Sequence, residues 1–93
     1  MLTHVQMHVS PKVQRQIINE VYIEKIDDVL AEYVALFIQY PSKKYDKKLS
    51  KYYSNLCLLI KSIRFGTIKY NQHEIDDYLQ DAYVEILKAK VFA

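Results

Sequence analysis

Residues 71–89, Asn71-Gln72-His73-Glu74-Ile75-Asp76-Asp77-Tyr78-Leu79-Gln80-Asp81-Ala82-Tyr83-Val84-Glu85-Ile86-Leu87-Lys88-Ala89, read as a single capped amphipathic helix. Asn71 has the side chain of a helix cap, able to accept from the backbone N–H groups of the first turn. Glu74, three residues on, is spaced to reach back to it, which is the capping-box arrangement. Ile75, Leu79, Ala82, Tyr83 and Ile86 recur with the spacing of a buried stripe, while Asp77, Asp81 and Glu85 recur every four residues on another face. A long helix with a signposted start sets the fold class.

Working back from it, Gly66 is the only glycine of the chain and follows Phe65 where a helix ending needs a left-handed residue. The segment before it, about 47–65, is mostly apolar at helical spacing, so 47–65 and 72–90 are predicted to form a helical hairpin. Further back, Tyr40-Pro41 ends another helix, because the residue before a proline is pushed from helical angles and the ring cannot continue the ladder. Ser10-Pro11 is its natural start, with Ser as cap and Pro at the first position. Apolar residues between them (Val13, Ile17, Val21; Ile18, Tyr22, Ile26; then Val29, Leu30, Tyr33, Val34, Phe37, Ile38) fit one face. They fit one long helix over 10–39 or two, and a break at Asp27-Asp28, with an Asp as new cap, is the preferred reading. The spacing of Ile26, Val29, Tyr33 and Leu36 also fits a short coiled-coil seam, although core packing explains it better. Residues 1–9 read as a tail or a short extended segment; His4 and His8 are four apart, but no Cys or carboxylate completes a metal site there.

The chain is thus expected to be all-α, a three- to four-helix bundle with a C-terminal helical hairpin and a core drawn from Leu56, Leu59, Ile60, Ile63, Leu79, Tyr83 and Ile86. Its 93 residues make one domain, 1–93, with 51% hydrophobic residues arguing against disorder, and one Gly and two Pro leave few tight turns for an all-β fold. A single cysteine, Cys57, forms no internal disulfide and reads as a small buried residue of a reducing compartment, hence a cytoplasmic location. Glu32, Gln39 and Lys61 interrupt the apolar stretches well before the roughly 20 residues that span a bilayer, so no membrane role is expected.

Charge is segregated. Residues 1–40 hold three basic and five acidic side chains, residues 41–70 eight and one, residues 71–93 two and five, behind a net charge of +2. Like charges four apart on a helix cost roughly 0.2–0.5 kcal/mol per pair, so the Asp77, Asp81, Glu85 ridge is either a solvated face neutralised by lysines such as Lys88 or a docking surface for a basic partner. Lys43, Lys44, Lys47, Lys48 and Lys51, among Tyr45, Tyr52 and Tyr53, likewise have two readings. One is a phosphate-binding patch with tyrosines for base stacking; the other, preferred, is a solvated segment balancing the acidic helices. The absence of arginine from the cluster counts against a dedicated nucleic-acid binder.

Asp77-Tyr78-Leu79-Gln80-Asp81-Ala82-Tyr83, followed by Ile86, Lys88 and Ala89, resembles the Asp-Leu-aliphatic-Gln-Glu-small-aromatic pattern in the core-binding part of bacterial RNA polymerase sigma factors. Tyr78 and Asp81 depart from the family's Leu and Glu. The aromatic-led segment Tyr52 to Phe65, with its basic end, looks like the family's preceding helix, so the resemblance covers about residues 50–92. It implies that Asp77, Gln80 and Asp81 bind the clamp coiled coil of the polymerase's largest subunit, with Tyr78 and Tyr83 as apolar anchors and Glu85 extending the acidic face. The resemblance ends near Val91-Phe92-Ala93, where the family's promoter-reading helix begins. Promoter recognition is therefore not carried over, and a partial, split or mimic sigma factor is what remains, a self-sufficient one being too long for this chain.

No nucleophile with a base in context, glycine-rich phosphate loop or metal constellation is present in the sequence, and His73 reads as a surface residue. The expectation is a non-enzymatic module without cofactor. The alternatives to polymerase docking are a small nucleic-acid-binding helical protein and a helical adaptor or homo-oligomer.

Overall fold

The computed structural model describes residues 10–66 and 71–92. Among these residues three helices, α1 (Pro11–Gln39), α2 (Lys47–Phe65) and α3 (Gln72–Val91), form an all-α bundle in which each helix packs on the other two, and a 3-10 turn (Pro41–Tyr45) joins α1 to α2. No strand occurs among the described residues. The expectation for residues 1–9, with His4 and His8, lies outside them.

Local chemistry sets each helix end. The Ser10 side chain accepts from Val13 N at 3.2 Å and Pro11 occupies the first turn, where its missing N–H is not needed. Tyr40, before Pro41, is the C-cap of α1. Asp46 caps α2, accepting from Lys48 N at 2.9 Å and Leu49 N at 3.3 Å. Its carboxylate at the positive helix end offsets the lysines that follow, whose charge opposes the macrodipole. Gly66 closes α2 in the left-handed region, φ 61°, with its N–H directed to Ile63 O. Asn71 accepts from His73 N at 2.9 Å, giving half of the expected capping box; Glu74 makes no return bond and acts as the acidic residue of the first turn.

Two expectations are corrected here. α1 is continuous through Asp27-Asp28, both exposed, because Tyr22, Ile23, Ile26, Tyr33 and Leu36 on either side share one buried face and a break would misalign them. The apolar residues of α1 do not share that face. Val13, Ile17, Val21, Val34 and Ile38 are exposed, Val13 lying nine positions, about two and a half turns, from Tyr22 and so on the opposite side. The residues that resembled a coiled-coil seam are core: Ile26, Tyr33 and Leu36 are buried and Val29 packs against them.

The core unites Ile26, Tyr33 and Leu36 of α1 with Leu56, Ile60 and Ile63 of α2 and Ile75, Leu79, Ala82 and Ile86 of α3. Leu59 is half-buried, and Tyr83, expected in the core, is 44% exposed. Ala82, not Tyr83, is the buried residue of that turn, and its carbonyl oxygen accepts from the Tyr33 hydroxyl at 3.0 Å. Tyr33, Phe37 and Tyr53 form an aromatic cluster with ring centroids 5.6–6.4 Å apart. Cys57 is a half-buried free thiol.

Candidate functional site

Each acidic side chain of α3 is placed by the bundle, and the three that recurred every four residues are separated by it. Asp77 and Asp81 are exposed, as is Gln80 between them, so these three share an outward face. Among the described residues Asp77 has one partner, His73, whose Nε2 lies 3.7 Å away one turn earlier. Glu85 is drawn off that face. Its side chain is only 15% exposed and pairs with Lys48 of α2 at 3.0 Å and with Lys88 at 3.6 Å. The hydrogen bond and charge of Glu85 raise the Lys48 pKa above its ordinary value. Glu85, expected to extend the acidic docking face, therefore also ties α3 to α2.

Tyr78, expected as an anchor, also has partners within the fold. It is half-buried at the α2–α3 seam, its ring 5.2 Å from that of Tyr52 and its hydroxyl accepting from Asn55 Nδ2 at 3.0 Å. Burial, first of all, raises its pKa, Tyr52 adds to the rise and the Asn55 hydrogen bond opposes it. Asp76, beside the ridge, also faces inward to α1, 3.7 Å from Lys25 Nζ and accepting from the Tyr22 hydroxyl at 3.2 Å.

The outward face has apolar members that periodicity assigned to the core or passed over. Tyr83, Val84 and Leu87 are exposed beside Gln80 and Asp81. Asp77, Gln80, Asp81, Val84 and Leu87 follow steps of three and four, so they are neighbours on one helix surface. The signal was present in the sequence as Val84 and Leu87 falling outside the Ile75, Leu79, Ile86 stripe. The resulting patch pairs carboxylates with moderate apolar area, the composition of a protein-docking surface in which charge guides approach and apolar contacts hold.

On α2 the sequence places Lys47, Lys48, Lys51, Lys61 and Arg64 and no acid. Among the described residues, Lys48 alone of these pairs with a carboxylate. Lys43, Lys44, Lys47 and Lys51 form no ion pair with any described residue, and Tyr45 among them is 83% exposed. Lys44 also edges a groove of about 460 Å³ between α1 and α2, floored by Val34, Phe37, Ile38 and Tyr53.

Among the described residues no three His, Cys, Asp or Glu side chains cluster as a metal site would require. No described helix is long and apolar enough to cross a membrane. Compared with models of protein families, with curated proteins and with solved structures, the chain matches none.

Proposed function

We propose that this chain is a non-enzymatic, transcription-related module that docks on bacterial RNA polymerase core, at the clamp coiled coil of the largest subunit, in the manner of a partial, split or mimic sigma factor. The observation that carries the reading is the joint exposure of Asp77, Gln80 and Asp81 on the outward face of α3, next to Tyr83 and Val84. These are the three positions at which the sequence resembles the sigma-factor docking helix, and the fold uses none of them in its core. Basic side chains of a coiled coil would meet Asp77 and Asp81, Gln80 would add directional hydrogen bonds, and Tyr83 and Val84 would supply the desolvated centre from which affinity comes.

The test is an interferometry titration of core polymerase against the chain and an Asp77→Lys, Asp81→Lys variant. Binding that the variant loses, with an unchanged helical circular-dichroism spectrum, supports the reading; no binding by the folded wild type removes it.

One observation favours a second reading. Balancing of neighbouring acids accounts for Lys48 but leaves Lys43, Lys44, Lys47 and Lys51 without a carboxylate among the described residues. Such a row suits the phosphates of a nucleic acid, with sequence-independent and salt-dependent affinity. Neutralising these four lysines is expected to abolish retention on mixed-sequence DNA at low salt, and binding that persists after neutralisation excludes this role.

A further inference from the structure

The outward side of the α2–α3 hairpin carries opposite charges on its two helices. Lys47, Lys51 and Leu58 lie along the outer stripe of α2, at steps of four and seven, with Leu58 59% exposed. Asp77, Asp81 and Val84 lie along the outer stripe of α3, with Val84 39% exposed. Within the chain the two stripes are not joined: the ion pair that crosses the seam is Lys48–Glu85, and Lys47, Lys51 and Asp81 form none among the described residues. The pairing that local neutralisation would provide is therefore left open on both helices.

We infer that a second copy of this chain covers this side of the hairpin, α2 of each copy lying on α3 of the other. A two-fold interface must be self-complementary, since each patch meets itself rotated by half a turn. A patch of one sign repels its own image. This one does not, because a two-fold axis parallel to the helices and centred on the seam carries the basic stripe onto the partner's acidic stripe, and the acidic onto the basic. It also preserves level along the hairpin. Lys48 lies beside Glu85 across the seam, so Lys51, one turn on, is level with Asp81, one turn back. The rotation thus brings Lys51 of one copy towards Asp81 of the other, twice, with Leu58 and Val84 within the same stripes.

The inference uses the surface of the polymerase proposal, and if both hold the dimer hides Asp77 and Asp81, so self-association and docking exclude each other. It rests on charge and exposure alone and does not need that proposal to be right. Because the paired groups are exposed, the dimer weakens with salt as the screening length falls to about 10 Å at 0.1 M and about 3 Å at 1 M.

Sedimentation of the full chain at low salt tests it. The wild type is expected at twice the monomer mass at 100 μM, falling to the monomer mass in 1 M salt. A Lys47→Glu, Lys51→Glu variant and an Asp77→Lys, Asp81→Lys variant are each expected to be monomeric. Mixed in equal amounts they are expected to form a one-to-one dimer, since the acidic α2 of one meets the basic α3 of the other while both remaining stripes still face their opposites. A wild type that stays monomeric at low salt, a folded single variant that stays dimeric, or a mixture of folded variants that stays monomeric overturns the inference. Polymerase binding separates the two ideas, because the Lys47→Glu, Lys51→Glu variant keeps Asp77, Gln80 and Asp81. Recombined dimers without polymerase binding by any variant leave the dimer standing and remove the docking reading; the reverse outcome does the opposite.

Discussion

The Tyr33 hydroxyl of α1 donates to the Ala82 carbonyl oxygen of α3 at 3.0 Å from a ring that is fully shielded from solvent. It ties α1 to α3 at Ala82, itself fully buried. Removing the hydroxyl in Tyr33→Phe is expected to lower stability by about 1 kcal/mol, the net worth of a hydrogen bond. Truncation in Tyr33→Ala is expected to cost about 3–5 kcal/mol through the cavity it leaves. Urea unfolding of the two variants measures both.

Alkaline pH acts on the same residue. Burial pushes the Tyr33 pKa well above its ordinary 10.0, and Tyr78 is shifted the same way by burial. Lys48 is raised above 10.5 by Glu85. In each case the unfolded chain releases its proton at lower pH than the folded one, so stability is fully present below about pH 10 and declines as pH rises above it. Denaturation midpoints from pH 7 to 11 are expected to be level and then fall, and in Tyr33→Phe the fall is expected to be shallower. A midpoint that rises above pH 10 contradicts the shifts.

Glu85 and the Asp77–Asp81 pair are expected to separate stability from docking. Glu85→Ala breaks the contacts to Lys48 and Lys88 and is expected to cost about 0.5–1 kcal/mol, since both lysines are largely exposed. Polymerase binding by that variant is expected to persist. Asp77→Lys with Asp81→Lys is expected to leave the unfolding midpoint nearly unchanged and to abolish binding.

Asp27 and Asp28 test the continuity of α1. As interior positions of an unbroken helix they are poor helix formers, and changing both to Ala is expected to stabilise the chain by about 1 kcal/mol. Were either a helix cap, the same change would destabilise it. Thermal unfolding distinguishes the signs.

Gly66→Ala is expected to destabilise by about 1 kcal/mol or more, because φ is 61° although nothing lies within 4 Å of the added methyl group. The cost arises from the backbone alone, so Gly66→Asn, which tolerates left-handed angles better, is expected to lose less.

Much of this architecture was legible in the sequence wherever one residue type has one physical use. Ser10-Pro11, Tyr40-Pro41, Gly66 and Asn71 marked helix ends because capping, ring closure and positive φ are local properties. Asp46 is equally legible as a cap, a carboxylate standing just before the first residue of α2. The continuity of α1 was not readable, since an Asp pair is compatible with a cap or a helix interior and only the shared burial of Tyr22 to Leu36 decides between them. Periodicity also put Tyr83 in the core and Glu85 on the ridge. Helical spacing gives an angle round one helix and says nothing of where the neighbouring helix lies. Tyr83 falls at the edge of the stripe and faces outward, whereas Lys48 of α2 draws Glu85 towards the seam. Of the site, Asp77, Gln80 and Asp81 are exposed, and Val84 and Leu87, outside the Ile75, Leu79, Ile86 stripe, lie on the same side of α3.

α1 outreaches its partners. At 1.5 Å per residue its 29 residues run about 44 Å, against about 30 Å for α3, and none before Tyr22 is buried. The amino-terminal three turns therefore draw little stability from the bundle, and a helical segment that short does not sustain itself in water. Amide hydrogens of residues 15–21 should exchange with solvent orders of magnitude faster than those of residues 33–39 of the same helix, the first by local fraying and the second only when the whole bundle opens. One uninterrupted helix thus holds two kinetic populations, and a partner that clasps Val13, Ile17 and Val21 would slow the first without altering the second.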